Sequence, residues 1–199
     1  MNGLNAKEDG RRLRSADSRR RIIAAMLSLI QEGTPEPAAE AVAQRAGVGL
    51  RTVFRLFSDI ESVCAEMLVP QRQEFVDCFS RPFTAPQGAP RIRELFARLA
   101  VLYEKRMPLR RAGTLRRYRS PSLAAGMKEL DCTIDQFVRR QMPGESAQDQ
   151  FRIDMLNLLL SYEAWMRLRD EQAKSAAETL EVLRRAIDGM LMNEGSAAF

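Results

Sequence analysis

Val42-Ala43-Gln44-Arg45-Ala46-Gly47-Val48-Gly49-Leu50-Arg51-Thr52-Val53-Phe54-Arg55-Leu56-Phe57 is the stretch whose reading decides the fold. Small Ala43 and Ala46 let one short helix approach its neighbours, and Gly47 tolerates the positive φ of a sharp turn. Val48 plugs that turn, while Val53 and Phe57, one helical turn apart, form the inner face of a second short helix over 50–57. Arg51, Thr52 and Arg55 are left facing outward. Guanidinium donors suit guanine edges or phosphates and a hydroxyl suits either, which is what a major-groove reader needs. An ordinary helical hairpin would expose the same face to water.

Upstream, Ile22, Ile23, Met26, Leu27 and Ile30 make an apolar stripe that predicts a first helix from an N-cap at Asp17 or Ser18 to Gly33. Thr34-Pro35-Glu36-Pro37 cannot continue it, because each proline removes a donor and pushes its predecessor from helical angles. The second helix then starts near Pro37 or Ala38 and ends at Ala46-Gly47. Ser58 or Asp59 is placed to cap a fourth, whose apolar positions run past Pro70 to about Pro82. Before all this lies a basic stretch with Arg11, Arg12, Arg14, Arg19, Arg20 and Arg21 against one acid, Asp17. It reads equally as a solvated tail or as a phosphate-binding arm.

The stretch 42–57 resembles the TetR family of transcriptional regulators. The shared pattern is an apolar-alanine pair, Ala-Gly-Val, and Thr-apolar-aromatic-Arg-x-Phe, covering about residues 18–64. The resemblance implies an operator-reading helix-turn-helix with Gly49, Leu50, Arg51, Thr52, Phe54 and Arg55 on the DNA side, joined by Arg19. Three positions depart from the family. Phe54 stands where a phosphate-binding tyrosine is usual, so no hydroxyl reaches the phosphate while ring packing is expected to persist. Ile60 replaces the usual lysine opening the fourth helix, and Pro37 and Ala38 replace capping threonines. Two outcomes compete: compensation by the arginine-rich arm, because each phosphate neutralised adds a salt-dependent increment to affinity, or a reduced affinity for DNA.

The rest of the composition narrows the function classes. The 31 Lys and Arg against 26 Asp and Glu give a net charge of +5, which matters only where it is concentrated. Cys64, Cys78 and Cys132 are odd in number and widely spaced, which argues against a disulfide framework and for a reducing, cytoplasmic setting. No segment approaches a membrane span or a signal peptide. The chain has no histidine, which removes His-based triads, His general bases and most transition-metal sites. There is no GxSxG elbow, no phosphate-cradling glycine loop and no paired ligand spacing. No catalytic residue, metal or cofactor is therefore assigned, and an enzyme is the minority reading.

Downstream of the Thr84 to Pro90 loop, helical periodicity predicts segments near 91–106, 109–119, 122–141, 146–171 and 175–193, punctuated by Pro108, Pro121 and Pro143-Gly144. From Phe151 to Leu168 the sequence is apolar on nearly every side, and a helix apolar all round must be buried all round. The closing helix adds a stripe at helical spacing. Leu160, Leu180, Leu183, Ile187 and Met190 are the expected dimer interface, and the family resemblance implies pairing through these last two long helices. Ten methionines and scattered aromatics suggest a small-molecule cavity, with Tyr103, Met107, Tyr118, Met127, Phe137, Tyr162 and Trp165 as candidates, each also readable as plain core. Arg110, Arg111, Arg116, Arg117 and Arg119 form a basic run that reads more simply as a solvated face.

The expectation is an all-α chain of about nine helices. It comprises a basic flexible arm over 1–17, a three-helix DNA-binding domain over 18–58 and a helical ligand-binding and dimerisation domain over 59–199. The expected function is a homodimeric repressor of double-stranded operator DNA, released by an unidentified small molecule. An effector-independent regulator or activator, or an all-helical enzyme or structural dimer with a degenerate motif, are the competing readings.

Overall fold

The computed structural model describes residues 3–57, 60–144 and 146–192, with the side chains of 3–11, 60, 61, 64 and 115 outside the description. The cap at Ser58 or Asp59 and the side chains of Arg11, Ile60 and Cys64 therefore lie outside the described residues. The described residues are helical throughout their regular structure: α1 (Gly3–Gln31), α2 (Ala39–Ala46), α3 (Leu50–Leu56), α4 (Ile60–Ser80), α5 (Ala89–Arg116), α6 (Pro121–Gln141), α7 (Ala147–Leu160), α8 (Tyr162–Met166) and α9 (Ala176–Met192). A π-helical turn, Arg167–Glu171, follows α8.

Several boundaries differ from those expected. α1 begins at Gly3 rather than at Asp17 or Ser18, because Ala6, Lys7, Glu8, Arg12, Leu13, Arg14 and Ala16 are good helix formers with no proline among them. α5 runs through Pro108 as one helix instead of two. The segment expected over 146–171 breaks at Ser161, whose extended backbone ends α7 and whose hydroxyl accepts from the Ala164 amide to start α8. Serine in that role is an N-cap.

The chain forms two compact units: Met1–Gln71 with Pro108–Ala124, and Arg72–Met107 with Ala125–Phe199. In the first, Ile22, Ala25, Met26 and Ile30 of α1 pack with Val42, Ala43 and Ala46 of α2, Val53 and Leu56 of α3, Phe57, and Val63 and Met67 of α4. In the second, the core gathers Ile92, Leu95, Leu99 and Tyr103 of α5, Ile134 and Val138 of α6, Ile153, Leu156 and Leu160 of α7, Trp165 of α8, and Leu183 and Ile187 of α9. Reciprocal capping boxes start α7, where Ser146 pairs with Asp149, and α9, where Ser175 pairs with Glu178. Arg152 of α7 donates to the Met190 and Leu191 carbonyls at the end of α9, satisfying acceptors that no helix can satisfy internally. Cys78 and Cys132 are free thiols. Among the described residues no helix is long and apolar enough to cross a membrane.

Candidate nucleic-acid interface

α2 and α3 are held by their turn and by two clamps. Gly47 sits in the left-handed region at φ 62°, and its amide donates to the carbonyls of Ala43 and Gln44, closing α2. Gly49 then opens α3 in extended backbone, with the Thr52 amide donating to its carbonyl at 2.8 Å. Arg45 grips the Glu32 carboxylate and the Ser28 hydroxyl, fixing α2 to the end of α1. That pairing holds the Glu32 carboxyl down at about 2. Arg116 pairs with Glu36 at 3.2 Å, steadying the segment before α2. Ala38 caps α2 without any side-chain hydrogen bond, in keeping with the missing threonine.

The family resemblance places Arg19 on the DNA side. In the structure its guanidinium lies 4.8 Å over the Phe57 ring and pairs with Glu66, while its side chain remains 39% exposed. Its work is to brace α1 against α4. Arg21, by contrast, reaches the Gly47 carbonyl at 3.4 Å, at the turn itself.

With Val53 and Leu56 locked in the core, α3 turns Arg51 and Arg55 outward. Both are exposed, and neither meets a carboxylate or hydrogen-bond partner among the described residues. Thr52 is half-buried on one flank, with Gly49 exposed beside it. Phe54 does not keep the packing expected of the tyrosine it replaces. Its ring is 61% exposed, since the α3 core positions are already filled by Val53, Leu56 and Phe57. Arg12 and Arg14 lie exposed along α1, while Arg20 and Arg21 pair with Asp17.

No family model and no curated protein matches the chain. Solved structures do. A transcriptional regulator from Rhodococcus sp. RHA1 matches with a TM-score of 0.67 at 18% identity, covering 91% of this chain and 99% of that one. A TetR transcriptional regulator from the same organism matches at 0.56 and 17%, covering 90% and 97%. The chain has the TetR fold. Thermus thermophilus FadR, a TetR-family transcriptional repressor in complex with lauroyl-CoA, shares that fold at a TM-score of 0.52 and 22% identity, covering 91% of this chain and 99% of that one.

Within this TetR fold four of the seven expected ligand residues come together, with the Tyr103 ring 4.7 Å from Tyr162 and 6.4 Å from Trp165. Tyr103, Met107, Tyr162 and Trp165 are buried members of the second unit's core. The Tyr103 hydroxyl donates to the Leu160 carbonyl at 2.7 Å, the Tyr162 hydroxyl to the Tyr103 carbonyl at 3.2 Å, and Trp165 Nε1 to Glu104 Oε2 at 3.2 Å. Buried polar tips of aromatics take such partners when they are structural. Tyr118 is a surface residue of the first unit, 83% exposed beneath the Arg117 guanidinium. Met127 is half-buried on α6. Phe137, alone of the seven, lines a groove of about 290 Å³ in the second unit, shared with Phe79, Phe83, Arg91, Thr133, Gln136, Arg140 and Gln141. Sequence reasoning missed Phe79 and Phe83 because an aromatic cluster spread over α4, a loop and α6 has no local signature.

The expected dimer residues differ in their exposure within the subunit. Leu160, Leu183 and Ile187 are buried in the subunit's own core, at 0%, 4% and 1% exposure, so they have no surface left to offer. Met190 packs against the same core, and Leu180 stays 39% exposed. Outward apolar positions include Phe151 and Leu158 of α7, seven residues apart on one face, with Leu180, Val182 and the terminal Met192 of α9. Among the described residues no carboxylate and thiol cluster is placed to hold a metal ion.

Proposed function

We propose that this chain is a transcriptional repressor that binds palindromic operator DNA as a homodimer and is released by a small-molecule effector. The observation that carries it is the outer face of α3, where Arg51 and Arg55 stand unpartnered among the described residues on a helix whose opposite face is fixed in a three-helix core. A preformed, positively charged helix face of this kind fits the major groove. The TetR fold, shared with transcriptional regulators, supports the reading. Residues 18–58 would supply the reading surface, 1–17 a basic extension toward phosphates, and 59–199 sensing and pairing.

Two copies would place their recognition helices about 34 to 36 Å apart, one turn of duplex, giving the operator its two-fold symmetry. Phe151, Leu158 and Leu180 are the surface for that pairing, since these large apolar side chains of α7 and α9 stay exposed on the single subunit. The effector's place is the groove of Phe79, Phe83 and Phe137, where Arg91 and Arg140 favour a small apolar molecule with an acidic group. Such a ligand releases the operator only if it binds the DNA-competent state less well than the alternative. A DNA-binding repressor of this kind works in the cytoplasm.

Selection of genomic fragments by the purified chain, followed by salt titration of the winning duplex, tests the reading. The expected result is a palindromic site with affinity falling linearly in the logarithm of salt. Equal binding of selected and random duplexes would overturn it.

A further inference from the structure

The reading helix carries an apolar strip beside its arginines. Phe54 is 61% exposed and Leu50, one turn earlier, is 36% exposed. Side chains four apart on a helix are neighbours, so the two lie on a single flank. Neither belongs to the core, whose α3 members are Val53 and Leu56. Exposed phenylalanine on so short a helix is uncovered hydrophobic surface awaiting a partner.

The neighbours choose that partner. Arg51 and Arg55 flank the strip without counter-charges among the described residues, which repels a second copy of the same surface and attracts a polyanion. On duplex DNA, a phenyl ring has no hydrogen bond to give to phosphate. The apolar group presented in the major groove is the C5-methyl of thymine. We propose that Phe54, assisted by Leu50, reads thymine methyl groups in the operator. By the same contact it accepts 5-methylcytosine in place of thymine at that step, because both carry a C5-methyl at the groove surface. The site would then respond to cytosine methylation of the DNA. This inference rests on the proposed operator-reading function.

The test begins with the selected operator and the full-length chain. Each thymine is replaced in turn, in both half-sites, by deoxyuridine, which removes the methyl and nothing else, and each cytosine by 5-methylcytosine. Removing one buried methyl corresponds to roughly fourfold weaker binding per half-site. The expected result is such a loss confined to one or two thymine positions, and a gain when a cytosine substituted at those positions is methylated. Phe54→Ala should bind thymine and deoxyuridine duplexes alike, Phe54→Leu should retain part of the preference, and Arg51→Ala should weaken both duplexes while keeping their ratio. Because the ring is exposed, the Ala variant should melt at the parental temperature, which confirms that folding is not the cause. A parent that binds the operator but ignores every deoxyuridine, or a Phe54→Ala variant that keeps the preference, overturns the inference alone. A parent that binds no duplex above random overturns the operator-reading function and this inference with it.

Discussion

Arg45 holds Glu32 with two parallel bonds, NH1 to Oε1 at 2.6 Å and NH2 to Oε2 at 2.7 Å, and so ties the last turn of α2 to the last turn of α1. Such a fork is the strong form of ion pair because both its donors and its acceptors are matched in plane. The hydrogen bond from Arg45 is also the main reason that the Glu32 carboxyl stays charged down to about 2, against an ordinary 4.5. A carboxyl whose folded value is depressed adds stability above its unfolded value and loses it as pH falls through the folded one. The contribution should therefore be complete above about pH 5 and fade between 4.5 and 2. Denaturant unfolding of the parent and Glu32→Gln across pH 7 to 2 checks this. The two curves should converge in acid, and a gap that persists undiminished at pH 2 would show that the pair is not its source.

On α3, Arg51→Ala and Thr52→Ala are each expected to weaken operator binding by about 1 to 3 kcal/mol while leaving random duplex little changed. Neither side chain belongs to the core, so thermal melting should not move. Competition assays on operator against random DNA provide the readout. Unaltered discrimination in both variants would remove these residues from base reading.

The basic extension should behave in the opposite way. Replacing Arg11, Arg12 and Arg14 with alanine should weaken operator and random DNA alike and reduce the salt slope, by about 0.9 for each phosphate no longer neutralised. Titration of binding against salt for parent and triple variant decides it. Identical slopes would leave the extension without a role at the backbone.

Pairing can be separated from folding by two leucines. Leu158 is 57% exposed and Leu183 is 4% exposed. Leu158→Asp is expected to give a folded monomer that no longer holds a palindromic site, whereas Leu183→Asp places a charge in the subunit's own core and should unfold it. Sedimentation and circular dichroism together distinguish these outcomes. A dimeric Leu158→Asp with intact operator binding would move the interface elsewhere.

The packing of α1, α2 and α3 was legible because its signals are short-range: the Ala46-Gly47 stop, and Val53 and Phe57 one turn apart. Pro108 misled for the opposite reason. Its local penalty of about 3 kcal/mol is real, yet α5 buries Leu99, Tyr103 and Met107 before it and Ala112 after it, and packing along the whole face outweighs one lost bond. The stripe through Leu183 and Ile187 was also legible as a buried face. Periodicity reports that a face is covered and says nothing of whether its own subunit or a partner does the covering. For the same reason residue type could not separate Trp165, packed and hydrogen-bonded, from Tyr118, which lies in solvent. The places of Phe54 and Arg19 depend on how α1 and α4 pack around Phe57, which no local pattern records.

α3 assigns its residues to two duties that do not overlap. Val53 and Leu56 hold the helix, while Arg51, Phe54 and Arg55 touch nothing that stabilises it. Substitutions on the outer set therefore arrive nearly free of folding penalty, and those on the inner set arrive without any change of target. A lineage carrying this chain can drift from one binding sequence to another through single replacements, each intermediate remaining folded. The helix is in that sense an exchangeable cartridge in a fixed housing, and its reading face is where related chains should diverge first.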